Sequence, residues 1–123
     1  MNKEPLVFVK HIQESMEKIE KSAKELSRED FLNSEETQDA TIRRLEIIGE
    51  AAKNLPEEFR KKHPEIPWSE IIRTRDKLIH GYFGVDINLT YDIVKNDLPA
   101  LKEKVKQILE KDSIGKNDLK PSK

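Results

Sequence analysis

Two residues in the middle of this chain have side chains suited to work on a phosphate ester. Arg75 carries a planar fork of donors that matches phosphate oxygens. His80 carries an imidazole whose ordinary pKa, about 6.5, suits proton transfer at neutral pH. Both lie in the stretch Pro67 to Asp86, PWSEIIRTRDKLIHGYFGVD, which also holds the only Trp and, just past Gly81, Tyr82. On one straight helix His80 is rotated by roughly 140° from Arg75, so the two side chains cannot easily grip one small group. They can if the last turn distorts before Gly81, or if two copies of the helix meet about a two-fold axis.

The helix that must carry them is marked at both ends. Pro67 followed by Ser69 and Glu70 is a start signal, because proline gives up no useful donor in the first turn and acids suit the positive helix end. Gly81, Gly84 and Val85 remove helix propensity, which places the end near His80. At about 100° per residue, Trp68, Ile71, Ile72, Leu78 and Ile79 form one stripe, and Arg75 falls near its middle. A guanidinium in an apolar stripe must be paired, or must face a groove or a partner surface. His80 falls instead on the side of Arg73, Asp76 and Lys77.

Around this helix the chain reads as a set of amphipathic helices. Val9, Ile12, Met16, Ile19, Ala23 and Leu26 recur at steps of three and four, a coiled-coil-like seam from Glu4 to about Leu26 that serves either the chain's own core or a dimer contact. Ser27 before Arg28, Glu29 and Asp30 resembles an N-cap with first-turn acids on a short turn through Phe31 and Leu32, and Ser34 before Glu35 and Glu36 opens a long helix through Leu55. In that helix Gly49, Ala51 and Ala52 are small enough for another helix to approach closely, and Glu50 reads as a solvated residue, a salt-bridge partner, or an orienter of Arg75 or His80. Glu57 to His63 is a short helix stopped by Pro64. Asn88 to Asn96 and Leu98 to Leu109 read as one short helix and one longer one. Residues 111–123 are polar and stripeless, a tail expected to be disordered.

Composition narrows the rest. The chain has 123 residues, room for one small core. It is 35% hydrophobic and 38% charged, so each helix has one apolar stripe, and part of that surface is expected to close against a second subunit. The net charge of −1 gives no overall pull on nucleic acid, so any such affinity must be local. The absence of Cys excludes disulfides and thiolate chemistry, and the three histidines have no ligand spacing, so no metal site or cofactor is expected. No run approaches the roughly 20 apolar residues of a membrane span, and the chain reads as cytoplasmic.

The string Arg75-x-x-x-x-His80-x-Tyr82, with Trp68 before it and Phe83, Val85 and Asp86 after it, resembles the signature of the HEPN superfamily, and more closely its HepT branch. The segment RRLEIIGEAAKNLP, Arg43 to Pro56, resembles the matching helix of HepT-like proteins. The resemblance implies an all-α antiparallel bundle of about four to five helices over residues 1–110, paired as a homodimer. It implies a metal-independent endoribonuclease toxin whose cleft lies between two protomers, with Arg75 as phosphate clamp and His80 as general acid/base. It further implies that Tyr82 is modified by AMP addition from an MntA-like nucleotidyltransferase antitoxin. Arg73 and Lys77 are then candidate RNA contacts. Asp76 departs from the superfamily's commonest form, where Asn often follows the Arg. An acid there either pairs with Arg75 or Lys77, holds His80, or weakens phosphate binding. Two other readings stay open: a non-catalytic helical adaptor or nucleotide-binding module that docks a nucleotidyltransferase, and a structural dimer in which Arg75 is an interfacial salt bridge.

Overall fold

The computed structural model describes residues 4–23, 25–80 and 86–119, of which 4, 79, 80 and 112–119 are described by their backbone alone. All the regular structure in these residues is helical: α1 (Glu4–Ala23), α2 (Arg28–Leu32), α3 (Glu35–Asn54), α4 (Glu57–Lys62), α5 (Trp68–His80), α6 (Ile87–Asp92), a π-helical turn (Ile93–Asp97) and α7 (Leu98–Leu119). The all-α bundle expected from the sequence is the one observed.

The order of packing follows from the stripes. α3 lies between α1 and α5, and α1 also packs on α7. The seam of α1 faces this core: Val9, Ile12, Met16, Ile19 and Ala23 are all buried within the chain. Each full burial of a residue such as Ile12 or Ile19 contributes about 1.5–3 kcal/mol. Of the two roles open to the seam, it fills the intramolecular one. α1 ends at Ala23 rather than at Leu26, which is half-buried against the core.

Local chemistry sets the other boundaries. The Ser27 hydroxyl accepts from Asp30 N at 3.1 Å, the Ser34 hydroxyl accepts from Thr37 N at 3.2 Å, and the Asp86 carboxylate accepts from Leu89 N at 3.1 Å. Each satisfies an orphan donor in a first turn. α2 is fastened to α6 through Tyr91, whose hydroxyl donates to the carbonyl of Leu26 at 3.2 Å and whose ring lies under the Arg28 guanidinium. Arg28 also pairs with Asp92 at 2.6 Å.

The C-terminal region differs from expectation in two respects. The two helices anticipated there join through the π turn, with Asp92 and Leu98 both in right-handed helical geometry. Pro99 has no N–H for the carbonyl one turn earlier, and the widened turn absorbs this by letting Leu98 N–H bond the carbonyl of Ile93. α7 then remains helical to Leu119, past the Glu110 boundary that its apolar stripe suggested.

Candidate functional site

The start of α5 is fixed by its aromatic residue. Trp68 is buried, and its indole Nε1 donates to the carbonyl of His63 at 2.9 Å, tying α5 to the end of α4. From this anchor two helical turns carry the chain to Arg75, where α5 lies hard against α3.

The contact there is between Arg75 and Gly49. A Cβ on Gly49 would overlap the Cβ of Arg75, with its Cγ at 2.7 Å and its Cα at 3.3 Å. Only a residue without a side chain allows this approach. The stem of Arg75 is therefore pressed into the α3–α5 seam, and its side chain is 17% exposed. Because Glu50 follows Gly49, the same contact brings a carboxylate to the guanidinium. Nη2 of Arg75 donates to Glu50 Oε1 at 2.6 Å, and Nη1 donates to Asp76 Oδ1 at 2.9 Å. Nε is buried in the seam without a hydrogen-bond partner.

The electrostatics follow. The hydrogen bond to Asp76, then the hydrogen bond and charge of Glu50, raise the Arg75 pKa above its ordinary value against the opposing pull of burial. Arg75 is thus a permanent cation. Its place in the apolar stripe of α5 is resolved by pairing rather than by an open groove. Glu50 forms a salt bridge with Arg75, its side chain 56% exposed. Asp76 pairs with Arg75.

The remaining predicted residues are placed as follows. Arg73 and Lys77 are exposed on α5. His80 closes the backbone of α5, the helix that carries Arg75, while its side chain lies outside the described residues. Tyr82 also lies outside them. The sequence signal for a close helix approach at Gly49 was legible, but not that Arg75 would be the residue it receives. A separate open groove of about 290 Å3 lies between α3, α5, the π turn and α7, with Leu45, Ile71 and Leu101 among its lining residues; Arg75, Glu50 and Asp76 are not. Among the described residues no group of His, Asp and Glu is arranged to hold a metal, and no helix is long and apolar enough to cross a membrane.

The fold and the site together are an all-α bundle with a carboxylate-paired arginine at the junction of two helices and a histidine five residues on in the same helix. The chain belongs to the ribonuclease HepT-like family, which matches residues 12–108. It is similar to a Methanocaldococcus jannaschii protein named "Gamma-glutamylcyclotransferase and putative RNase", with 50% identity over 96% of this chain. It spans 53% of that protein, about half its length. It is also similar to the "Probable ribonuclease HepT" of Thermococcus cleftensis, with 52% identity over 82% of this chain and 92% of the other. No solved structure matches the chain.

Proposed function

We propose that the chain is a metal-independent endoribonuclease of the HepT kind, the toxin of a toxin-antitoxin pair, which cleaves RNA in a cleft formed by two copies. The observation that carries this reading is the fixed cation. Arg75 is held at a helix contact by Glu50 and Asp76, its side chain 17% exposed, five residues before His80 in the same helix. The relatives named as ribonucleases add support.

In the proposed reaction the ribose 2′-hydroxyl attacks the adjacent phosphorus, and the P–O5′ bond breaks. One His80 takes the 2′ proton, and the other copy's His80 protonates the departing 5′ oxygen. The products are a 2′,3′-cyclic phosphate and a free 5′-hydroxyl. Arg75 steadies the charge on the phosphorane oxygens, where a fixed donor has its largest effect. Two copies bring two arginines and two histidines together, which answers the rotation between Arg75 and His80 on a single helix. Asp76 keeps the Arg75 fork oriented, and Arg73 and Lys77 supply local charge for the RNA backbone. Tyr82 is the residue that an MntA-like nucleotidyltransferase antitoxin modifies with AMP, adding negative charge at the cleft mouth that repels RNA.

The test is cleavage of end-labelled tRNA and mRNA in EDTA by the purified protein, beside His80→Ala, with product ends analysed for the cyclic phosphate. Cleavage in EDTA that disappears in the variant supports the reading. A second reading has its own observation, since an arginine already paired with Glu50 and Asp76 suits a structural or adaptor role. It wins if unmodified protein leaves RNA intact.

A further inference from the structure

We infer that Glu50 is a displaceable anion occupying the phosphate seat of Arg75, so that RNA must evict it in order to bind. This rests on the ribonuclease reading above and concerns the regulation of that same site.

A guanidinium can offer a phosphate two paired edges. The edge that includes Nε is turned into the α3–α5 seam, where Nε is buried. That leaves the edge formed by Nη1 and Nη2, in a side chain that is 17% exposed, and both of its nitrogens are already donating, to Asp76 at 2.9 Å and to Glu50 at 2.6 Å. One cation between two carboxylates gives the three groups a net charge of −1. A phosphate arriving at this edge therefore meets repulsion within about 8 Å, the screening length at physiological ionic strength.

The two carboxylates are not equally placed to leave. Asp76 is the neighbour of Arg75 on the same helix, whereas Glu50 reaches across from α3, and its side chain is 56% exposed against 44% for Asp76. Glutamate also has one more rotatable bond, so a rotamer change carries its carboxylate into water without backbone movement. Arg75 cannot follow it, because its stem is pressed against Gly49. The arrangement is a mobile anion on an immobile cation. On binding, a phosphate oxygen takes the place of Glu50 Oε1 at Nη2, the Glu50 carboxylate turns to solvent, and the bond from Nη1 to Asp76 remains.

The experiment uses the full chain and a fluorescent 2′-O-methyl oligoribonucleotide, which lacks the attacking hydroxyl, so binding is read apart from cleavage. Glu50→Gln keeps the shape and removes the charge. It is expected to tighten binding by about three- to tenfold, more at low salt, and the gain is expected to vanish in an Arg75→Ala background. Glu50→Asp, which keeps the charge but shortens the reach, is expected to show a smaller gain, and melting curves check that each variant folds. Unchanged or weaker binding by Glu50→Gln, no binding by any form, or a gain that survives Arg75→Ala overturns the inference. A matched ribo-oligomer separates it from the reading beneath it. If wild-type protein cleaves this RNA and Glu50→Gln binds no tighter, the displaceable anion is wrong and the ribonuclease stands. If Glu50→Gln binds tighter through Arg75 but no form cleaves, the anion stands and the ribonuclease falls.

Discussion

Gly49 lies directly beneath Arg75, so close that a methyl group on Gly49 would occupy the space of the arginine Cβ. Two opposing effects therefore decide the outcome of Gly49→Ala. Helix propensity alone favours alanine by about 0.8–1 kcal/mol. Overpacking against a neighbouring stem costs about 1–3 kcal/mol, and here the obstructing atoms belong to the arginine's Cβ and backbone rather than to a flexible tip. Packing wins. Thermal unfolding is expected to show a melting temperature lower by several degrees, at about 4 °C per kcal/mol, where the ranges for smaller and larger domains meet. A melting temperature raised above wild type would show that the two helices can part without loss.

Arg75→Lys tests whether the fork or only the charge matters. A lysine has one nitrogen and cannot donate in parallel to two groups in the geometry of Nη1 and Nη2. The fold is expected to survive, while single-turnover cleavage of RNA falls by about 100- to 1,000-fold, the usual loss for a fixed transition-state donor. Cleavage within a few-fold of wild type would mean that a point charge suffices.

On the proposed function, co-expression with an MntA-like nucleotidyltransferase is expected to raise the intact mass of the chain in AMP steps, and Tyr82→Phe to abolish the gain. The modified protein is expected to lose affinity for RNA, because each adduct adds negative charge that repels the RNA backbone. A mass gain that maps to another residue would remove Tyr82 from this role.

The ion pair between Lys102 on α7 and Glu20 on α1, 2.7 Å long, gives a pH dependence of stability at the alkaline end. The hydrogen bond to Glu20, ahead of burial, which opposes it, and of the charge of Glu20, raises the Lys102 pKa above its ordinary 10.5. A raised lysine pKa stabilises the fold fully below the unfolded value, and that contribution is lost as pH rises through the folded one. Both side chains are partly exposed, so the contribution is about 0.2–1 kcal/mol. Denaturant titrations of wild type and Lys102→Gln are expected to differ by this amount at pH 7 and to converge above the lysine's raised value. A constant gap across that range would show that the loss comes from packing of the lysine stem.

The sequence by itself determined the helices and what they needed. Ser27 and Ser34 announced the starts of α2 and α3, Pro67 that of α5, and His63 before Pro64 stopped α4, because these signals act on the backbone within one turn and need no distant partner. The seam of α1 was equally plain, since its period fixes which side chains must leave water. The same logic showed that Arg75, alone in an apolar stripe, required a partner, a groove or a partner surface. It did not show which one. Glu50 lies in another helix, and nothing near Arg75 in the chain encodes how α3 crosses α5. That crossing is set by where Gly49 lets the two backbones touch, a property of two surfaces meeting rather than of either sequence pattern. The π turn at Ile93–Asp97 was hidden for a related reason. Pro99 suits the start of a new helix, and only the packing of α6 and α7 around it decides that the two helices join through a widened turn. Asp76, next in the chain, could reach Arg75 locally, whereas the pair with Glu50, 25 residues away, forms only when folding brings α3 against α5.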